Sequence, residues 1–243
     1  MEANYIASVF IARLACGRCQ LDFSLDDKTK SNDVAVIALT GPSLLMEDLR
    51  CLKKKYYIFG VNALLASPNP SAYIDYCIIQ DNQVYKKLSN KIKDFPSSRL
   101  ILGSSVKYRN GVIKGANYYN LNLRGRYNGK YNPPYKAYWS DKPCIKVYDV
   151  YSVAYSAIQI LAGIGFRKII ITGFDGGYSE NENERNIIDI GKVDHTWAKA
   201  SERFEYFAGI ARENCDRLGV ELINISRNTK ITNLKVENVA HFL

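Results

Sequence analysis

The sequence predicts an α/β fold in which helices cover both faces of a mainly parallel sheet, a three-layer, Rossmann-like arrangement. Three observations predict it. Short continuous apolar runs rich in β-branched residues recur along the chain, the pattern of strands buried on both faces. These runs stop at Gly, Pro, Asn or Asp, and apolar residues at helical spacing follow. At 243 residues, 47% of them hydrophobic, the chain is also long enough to bury one large core.

The elements follow in order. An apolar stretch (Ile6 to Ala15) and a charged one (Leu21 to Ser31) read as an N-terminal arm over residues 1–32, ahead of a single α/β domain over 33–243. Val34 to Leu39 is the first strand; it stops at Thr40-Gly41-Pro42-Ser43, after which Leu44, Leu45, Leu49 and Leu52 fall on a helix. Tyr56 to Val61 and Tyr76 to Gln80 read as strands, and Leu100 to Leu102 as another after a basic helix around Tyr85 to Ile92. Ser152 to Ile164 is an apolar helix, Lys168 to Thr172 a buried strand, Lys199 to Leu218 a long amphipathic helix and Val220 to Ile225 a last strand. Between them, Asn117 to Trp139 is rich in Tyr, Asn, Gly and Arg with a Pro133-Pro134 stop, and reads as a lid-like insertion.

Charge and cysteine usage bound the partners. Lys and Arg number 33 against 24 Asp and Glu, leaving +9, which favours an anionic partner such as a nucleotide, a phosphosugar or a lipid surface. The basic residues are spread without a recognisable RNA or DNA module, so nucleic acid is not the expected partner. No run approaches the ~20 apolar residues of a membrane span, and the start lacks a basic-then-apolar leader, so the expected location is cytoplasmic, with peripheral contact at the inner membrane left open. The apolar start of the arm also leaves a homo-oligomer open. Six scattered cysteines imply no disulfide framework; Cys51 and Cys77 read as core residues. Cys16 and Cys19 have redox or half-zinc-site spacing, but without a second ligand pair they read as two unrelated thiols.

In open parallel sheets ligands collect beyond the carboxyl ends of the strands, so the residues after each apolar run are the candidate site. After the first strand come Thr40, Gly41, Pro42 and Ser43, where glycine permits close backbone approach and free N–H groups favour a phosphate or a sugar hydroxyl. Asn62 follows the second strand and Asp81 the third, each of them equally able to cap a helix. Gly173 and Asp175 end the strand at Thr172, and a polar run then leads to Asp194-His195-Thr196. His195 and His241 are the only histidines, which makes His195 the candidate base, against the plainer reading of a surface side chain. No phosphate loop, dinucleotide turn, nucleophile elbow, zinc-binding His pair or strand-end Asp-x-Asp is present, so the expected chemistry needs neither metal nor cofactor.

These rim residues form a recognisable set. VIALTGPSL (Val36 to Leu44), FGVNAL (Phe59 to Leu64), YSVAYSAIQILAGIGFRKIIITGFD (Tyr151 to Asp175) and DHT (Asp194 to Thr196) resemble the bacterial sialyltransferases that use CMP-sialic acid. They also resemble the related motility-accessory and pterin-pyrophosphokinase-like proteins, which IDYCIIQD (Ile74 to Asp81) matches more closely. The first resemblance implies a metal-independent, inverting transfer from a CMP-sugar donor to a glycan acceptor. It places Thr40, Gly41, Pro42, Ser43, Asn62, Asp81, Ser152, Gly173 and Asp175 around the donor, with Thr40 and Asp81 standing where those enzymes carry asparagine. It makes His195 the base. It also implies tyrosines that stabilise the departing phosphate; here Gly177 occupies the closest position and Tyr178 is one step away, in a shorter loop. Arg124 and Arg126, placed by charge alone, would meet a donor carboxylate or an acidic acceptor.

Two other readings stay open. A magnesium-dependent pterin pyrophosphokinase-like enzyme would use Asp81 and Asp175 on the metal. A non-catalytic nucleotide- or glycan-binding protein would keep the fold without the chemistry.

Overall fold

The computed structural model describes residues 31–124, 136–150, 152–177, 186–188, 190 and 200–243. The arm to residue 30, with Cys16 and Cys19, lies outside them. The chain opens on β1 (Ser31–Ala38), α1 (Met46–Lys53) and β2 (Tyr56–Val61), the last running into a 3-10 turn at Asn62–Ala66. Next come β3 (Tyr76–Ile79), α2 (Asn82–Lys87), α3 (Ser89–Asp94), β4 (Leu100–Gly103), α4 (Ser104–Asn110) and β5 (Asn117–Tyr119). The rest is β6 (Leu121–Asn122), β7 (Val147–Tyr148), α5 (Val153–Gly163), β8 (Lys168–Thr172), α6 (Ala200–Arg217), β9 (Glu221–Asn224) and β10 (Lys235–Val236).

Eight strands form one sheet in the order β10-β9-β8-β1-β2-β3-β4-β5, and each neighbouring pair is parallel. Two further strands, β6 and β7, pair parallel beside it. The fold is therefore α/β, three-layered and Rossmann-like. Side chains that alternate along each strand feed two cores. Ala35, Ile37, Phe59 and Ile171 pack with Tyr155 of α5 and Phe207 of α6, while Val36, Ile58 and Ile170 pack in the other core with Leu49 of α1 and Val84 of α2. Burial on both faces explains the continuous apolar runs at the centres of these strands, Val34–Ala38 in β1, Tyr56–Val61 in β2 and Ile169–Ile171 in β8. Close packing leaves no slack at the centre: a Cβ on Gly60 of β2 would lie 2.6 Å from Ile74 Cγ2. Among the described residues no helix is long and apolar enough to cross a membrane.

Several elements differ from the sequence expectation. β1 begins at Ser31, so the first strand takes in the end of the expected arm. The basic helix around Tyr85 to Ile92 is two short helices that meet at Leu88, whose side chain is buried; its backbone (φ −92°, ψ 6°) departs from the helix at that point. Asn117 to Trp139 is not wholly irregular. Its first residues are β5, the edge of the main sheet, where Tyr118 and Tyr119 point into opposite cores and Asn117 Nδ2 donates to Ser98 O at 2.9 Å. The lid-like portion at 125–135 lies outside the described residues.

Four described cysteines are free: Cys77 and Cys215 are buried, Cys51 is only half-buried on α1 and Cys144 is exposed. Burial pushes the Cys77 thiol far up and takes that of Cys215 up to about 12, so neither supplies thiolate at neutral pH. Native protein treated with iodoacetamide at pH 7.5 should accordingly be alkylated at Cys144 at least about tenfold faster than at Cys77 or Cys215, with the difference erased in urea. Peptide mass spectrometry reads the three sites separately, and equal native rates would contradict this packing.

Candidate functional site

Because the sheet is parallel throughout, the carboxyl ends of its strands share one rim. The strand order reverses direction between β1 and β8, and such a reversal opens a crevice at the rim. Beyond the two strands the backbones stay in contact: Leu39 N–H donates to Thr172 O at 2.9 Å and Gly41 N–H to Gly173 O at 3.0 Å. This approach requires glycine on both sides. A Cβ on Gly41 would lie 2.5 Å from Gly173 O and 2.7 Å from Asp175 Oδ2, while one on Gly173 would lie 2.7 Å from Leu39 O. Gly173 also holds φ at +69°, where a side chain is strained.

Asp175 closes the arrangement. Its Oδ2 accepts the Ser43 backbone N–H at 2.9 Å and its Oδ1 accepts the Ser43 hydroxyl. Leu44 N–H turns back to Gly41 O at 3.1 Å, with exposed Pro42 at the bend. The N–H groups of Gly41, Ser43 and Leu44 are thus all bonded within the protein. These amides of the turn are therefore taken, and the sequence expectation concerned others, the N–H groups at the start of α1, which begins at Met46 with no side-chain cap; the turn itself offers the Ser43 hydroxyl and the half-buried Asp175 carboxylate.

The segment after β9 clasps the Asp175 loop, a contribution the sequence reading missed. Ser226 Oγ accepts Phe174 N–H at 2.7 Å, Asn224 Nδ2 and Thr229 Oγ1 donate to Phe174 O at 3.2 and 2.8 Å, and Lys230 N–H donates to Asp175 O at 2.8 Å. The Phe174 ring stacks on Phe207 of α6 at 5.6 Å, anchoring the loop in the core. Exposed Arg227 reaches Asp48 on the first turn of α1 at 2.7 Å, and exposed Lys230 stands beside it in sequence. The signal was available, since Ser226 to Lys230 follows the last apolar run just as Gly41 to Ser43 follows the first.

The other rim candidates divide. Asn62, at the end of β2, is the one non-glycine residue with positive φ (+48°) among those described, and its Oδ1 is buried with no hydrogen-bond partner among them. A strained residue with an unmet acceptor is a ligand-site signature. Thr40 Oγ1 donates to Asn186 Oδ1 at 2.8 Å and Thr40 O accepts Ile187 N–H at 2.9 Å, so the chain returns to β1 after the polar run. Asp81 and Ser152 turn out to be helix caps. Asp81 Oδ1 accepts from Gln83 and Val84 N–H at 2.7 and 3.3 Å at the start of α2, and Ser152 Oγ from Ala154 N–H at 3.2 Å at the start of α5. Arg124 is exposed, with its guanidinium 5.1 Å over the Tyr138 ring. Arg126, Tyr178 and His195 lie outside the described residues.

A buried polar chain missed by the sequence reading ties the far side of the rim together. Tyr119 of β5 donates to Gln80 Oε1 at 3.2 Å, and Gln80 Nε2 donates to Asp149 Oδ1 at 3.1 Å. Burial, with the Asp149 charge beside it, pushes the Tyr119 phenol well up, so it remains a neutral donor. Among the described residues no three His, Cys, Asp or Glu side chains are grouped to hold a metal.

The Ser43–Asp175 contact should be measurable as a coupling. Asp175→Asn is expected to lower unfolding stability by about 1–2 kcal/mol, because it leaves a Ser43 donor without its charged acceptor. Ser43→Ala should cost less, and the double-mutant cycle should show a coupling of at least about 0.5 kcal/mol in urea titrations. Additive losses would show that the two residues do not act together. A scan of protein-family models and a search of curated proteins find no match to this chain, so what the rim does rests on the residues described.

Proposed function

We propose that the crevice between β1 and β8 binds a nucleotide-linked anionic donor, and that the chain is a metal-independent, inverting glycosyltransferase of sialyltransferase-like type, moving a sugar from a CMP-sugar to a glycan acceptor. Asn62 carries the reading. Its buried Oδ1 lacks a donor among the described residues and its backbone is held at φ +48°, which supports a site kept ready for an N–H or O–H of a ligand. A cytosine amino group or a sugar hydroxyl meets that need. Asp175 complements it: a ribose hydroxyl can replace the Ser43 hydroxyl on Oδ1 while the Ser43 N–H keeps Oδ2 in place.

The chemistry asks little of a metal. CMP leaves as a stabilised phosphate anion, and hydroxyl and cationic donors can take up its charge. Exposed Lys230, on the clasp after β9, adds positive charge at the rim, while Arg227 is paired with Asp48. In this reading His195 takes the acceptor's hydroxyl proton as the oxygen attacks the anomeric carbon from the face opposite CMP, and Tyr178 donates to the departing phosphate. The magnesium-dependent reading would use the same Asp175, together with Asp81, whose Oδ1 caps α2, and is separated from the transfer reading by its metal requirement.

Thermal shift tests the donor class. CMP or a CMP-sugar should raise Tm more than UDP, GDP or ATP and should do so in EDTA, since binding to the native state stabilises it by mass action. A preference for ATP with magnesium would overturn the proposal in favour of the kinase reading. A second expectation separates catalysis from binding. His195→Ala should lower kcat by about 10²–10⁴-fold with nucleotide affinity retained, while His241→Ala, at an exposed position near residue 243, should match wild type. Full turnover in the His195 variant would remove the base, and binding without turnover in wild type would point to the non-catalytic reading.

A further inference from the structure

The positive charge is unevenly placed. Residues 95–140 contain Arg99, Lys107, Arg109, Lys114, Arg124, Arg126, Lys130 and Lys136 and not one Asp or Glu. This stretch forms β4, α4, β5 and β6 and leads toward β7. At its end three cations gather on two rings. Arg124 Cζ and Lys136 Nζ lie 5.1 and 5.5 Å from the Tyr138 ring, Lys146 Nζ lies 5.2 Å from the Tyr148 ring, and the two ring centroids are 5.4 Å apart. Among the described residues none of the three cations forms an ion pair. The carboxylates that follow in sequence are engaged elsewhere, Asp141 with Arg217 and Asp149 with Gln80.

The platform under these charges is fixed. Gln159 of α5, fully buried, accepts Tyr148 N–H at 3.1 Å and donates to Tyr148 O at 2.9 Å, and Tyr155 of α5 donates to Tyr138 O at 2.9 Å. These bonds hold the backbone that carries both rings, and the rings themselves lie 5.4 Å apart. Cations over a ring face satisfy the aromatic quadrupole and keep their N–H groups directed at other partners. Faces covered in this way serve a ligand's acidic groups better than its flat bases.

We propose that Arg124, Lys136 and Lys146, set on Tyr138 and Tyr148, form a second subsite that binds a carboxylate-bearing saccharide, the acceptor of the transfer. That the ligand is a saccharide and the acceptor rests on the glycosyltransferase reading; that it is anionic rests on the three cations. Alpha-5 joins the two regions, since its capped start lies at the rim and its flank carries the rings.

The test uses the full chain and isothermal titration with hexagalacturonate, neutral maltohexaose of equal length, a six-nucleotide oligothymidylate and phosphatidylserine vesicles. Wild type should bind hexagalacturonate at least about tenfold more tightly than maltohexaose, and R124Q/K136Q/K146Q should lose about 10- to 100-fold of that affinity. The control K54Q/K91Q/K93Q removes the same charge from exposed lysines elsewhere and should bind as wild type. Unchanged Tm in both triple variants shows that they fold; if the first unfolds, the single variant K146Q should still lose at least about threefold. The proposal is overturned by equal affinity in wild type and the R124Q/K136Q/K146Q variant, by equal loss in the control, or by tighter binding of oligothymidylate or vesicles than of hexagalacturonate. CMP stabilisation is read on the same variants. Its absence in wild type, with saccharide binding still dependent on Arg124, Lys136 and Lys146, would retire the donor reading and leave the subsite standing.

Discussion

The seam where Gly41 meets Gly173 governs the rim. Two parallel strands normally lose contact where they end, because their chains leave for helices on opposite faces. Here Leu39 and Gly41 continue to donate to the chain beyond β8, so the turn after β1 and the loop after β8 become a single structure. Side chains would prevent it, since a Cβ on either glycine falls within 2.7 Å of a backbone oxygen. Asp175 can reach Ser43 only because the backbones have already met. The clasp after β9 then attaches to Asp175 and Phe174, so three strand ends share one set of hydrogen bonds. Disturbing the seam would move all of them together.

The same contacts decide which groups remain for a ligand. A turn that leaves its amides unbonded can receive a phosphate directly, whereas this one bonds Gly41, Ser43 and Leu44 N–H internally. Among side chains, exposed Lys230 brings positive charge from the clasp for which the seam provides the anchor, while Arg227 is held by Asp48. Asn62 provides the opposite functionality, an acceptor fixed by its backbone rather than by a partner.

Much of this could be read from the residues alone, and the reasons for the rest are physical. The bounds of β2 and β8 agree with the sequence expectation because both faces of those strands are covered, which keeps polar residues out of their centres. β5 was hidden for a local reason: three residues, Asn117, Tyr118 and Tyr119, cannot display a period, and the Asn- and Gly-rich sequence around them reads as loop. The break at Leu88 was invisible because a buried leucine fits the periodicity of one long helix as well as the junction of two short ones. Among site residues, Gly41, Ser43, Gly173 and Asp175 were identified by position after strands, and they do meet. Asp81 was identified by the same rule and Ser152 through the family resemblance, yet both serve as caps, since residue type and position are alike for a cap and a ligand contact. Nothing in the sequence gives the left-handed backbone of Asn62 or the clasp's choice of Phe174 as its target, because both depend on contacts between distant segments.

Helix α5 gives this layout its mechanical logic. Its first turn is capped by Ser152 at the rim, its buried Gln159 and Tyr155 hold the backbone of Tyr148 and Tyr138, and its far end leads through Phe166 straight into β8. One rigid element therefore sets both the strand that ends in Gly173 and Asp175 and the platform that carries Arg124, Lys136 and Lys146. Under the proposed transfer reaction such an element would matter, because misplacing one reactant by an ångström forfeits much of the gain from orientation. Nine consecutive residues of this helix, Ala154 to Ala162, are buried, including polar Ser156 and Gln159. A helix enclosed to that degree cannot shift without repacking the α5–α6 core, so the spacing between crevice and cationic platform is set by the core itself rather than by loops at the surface.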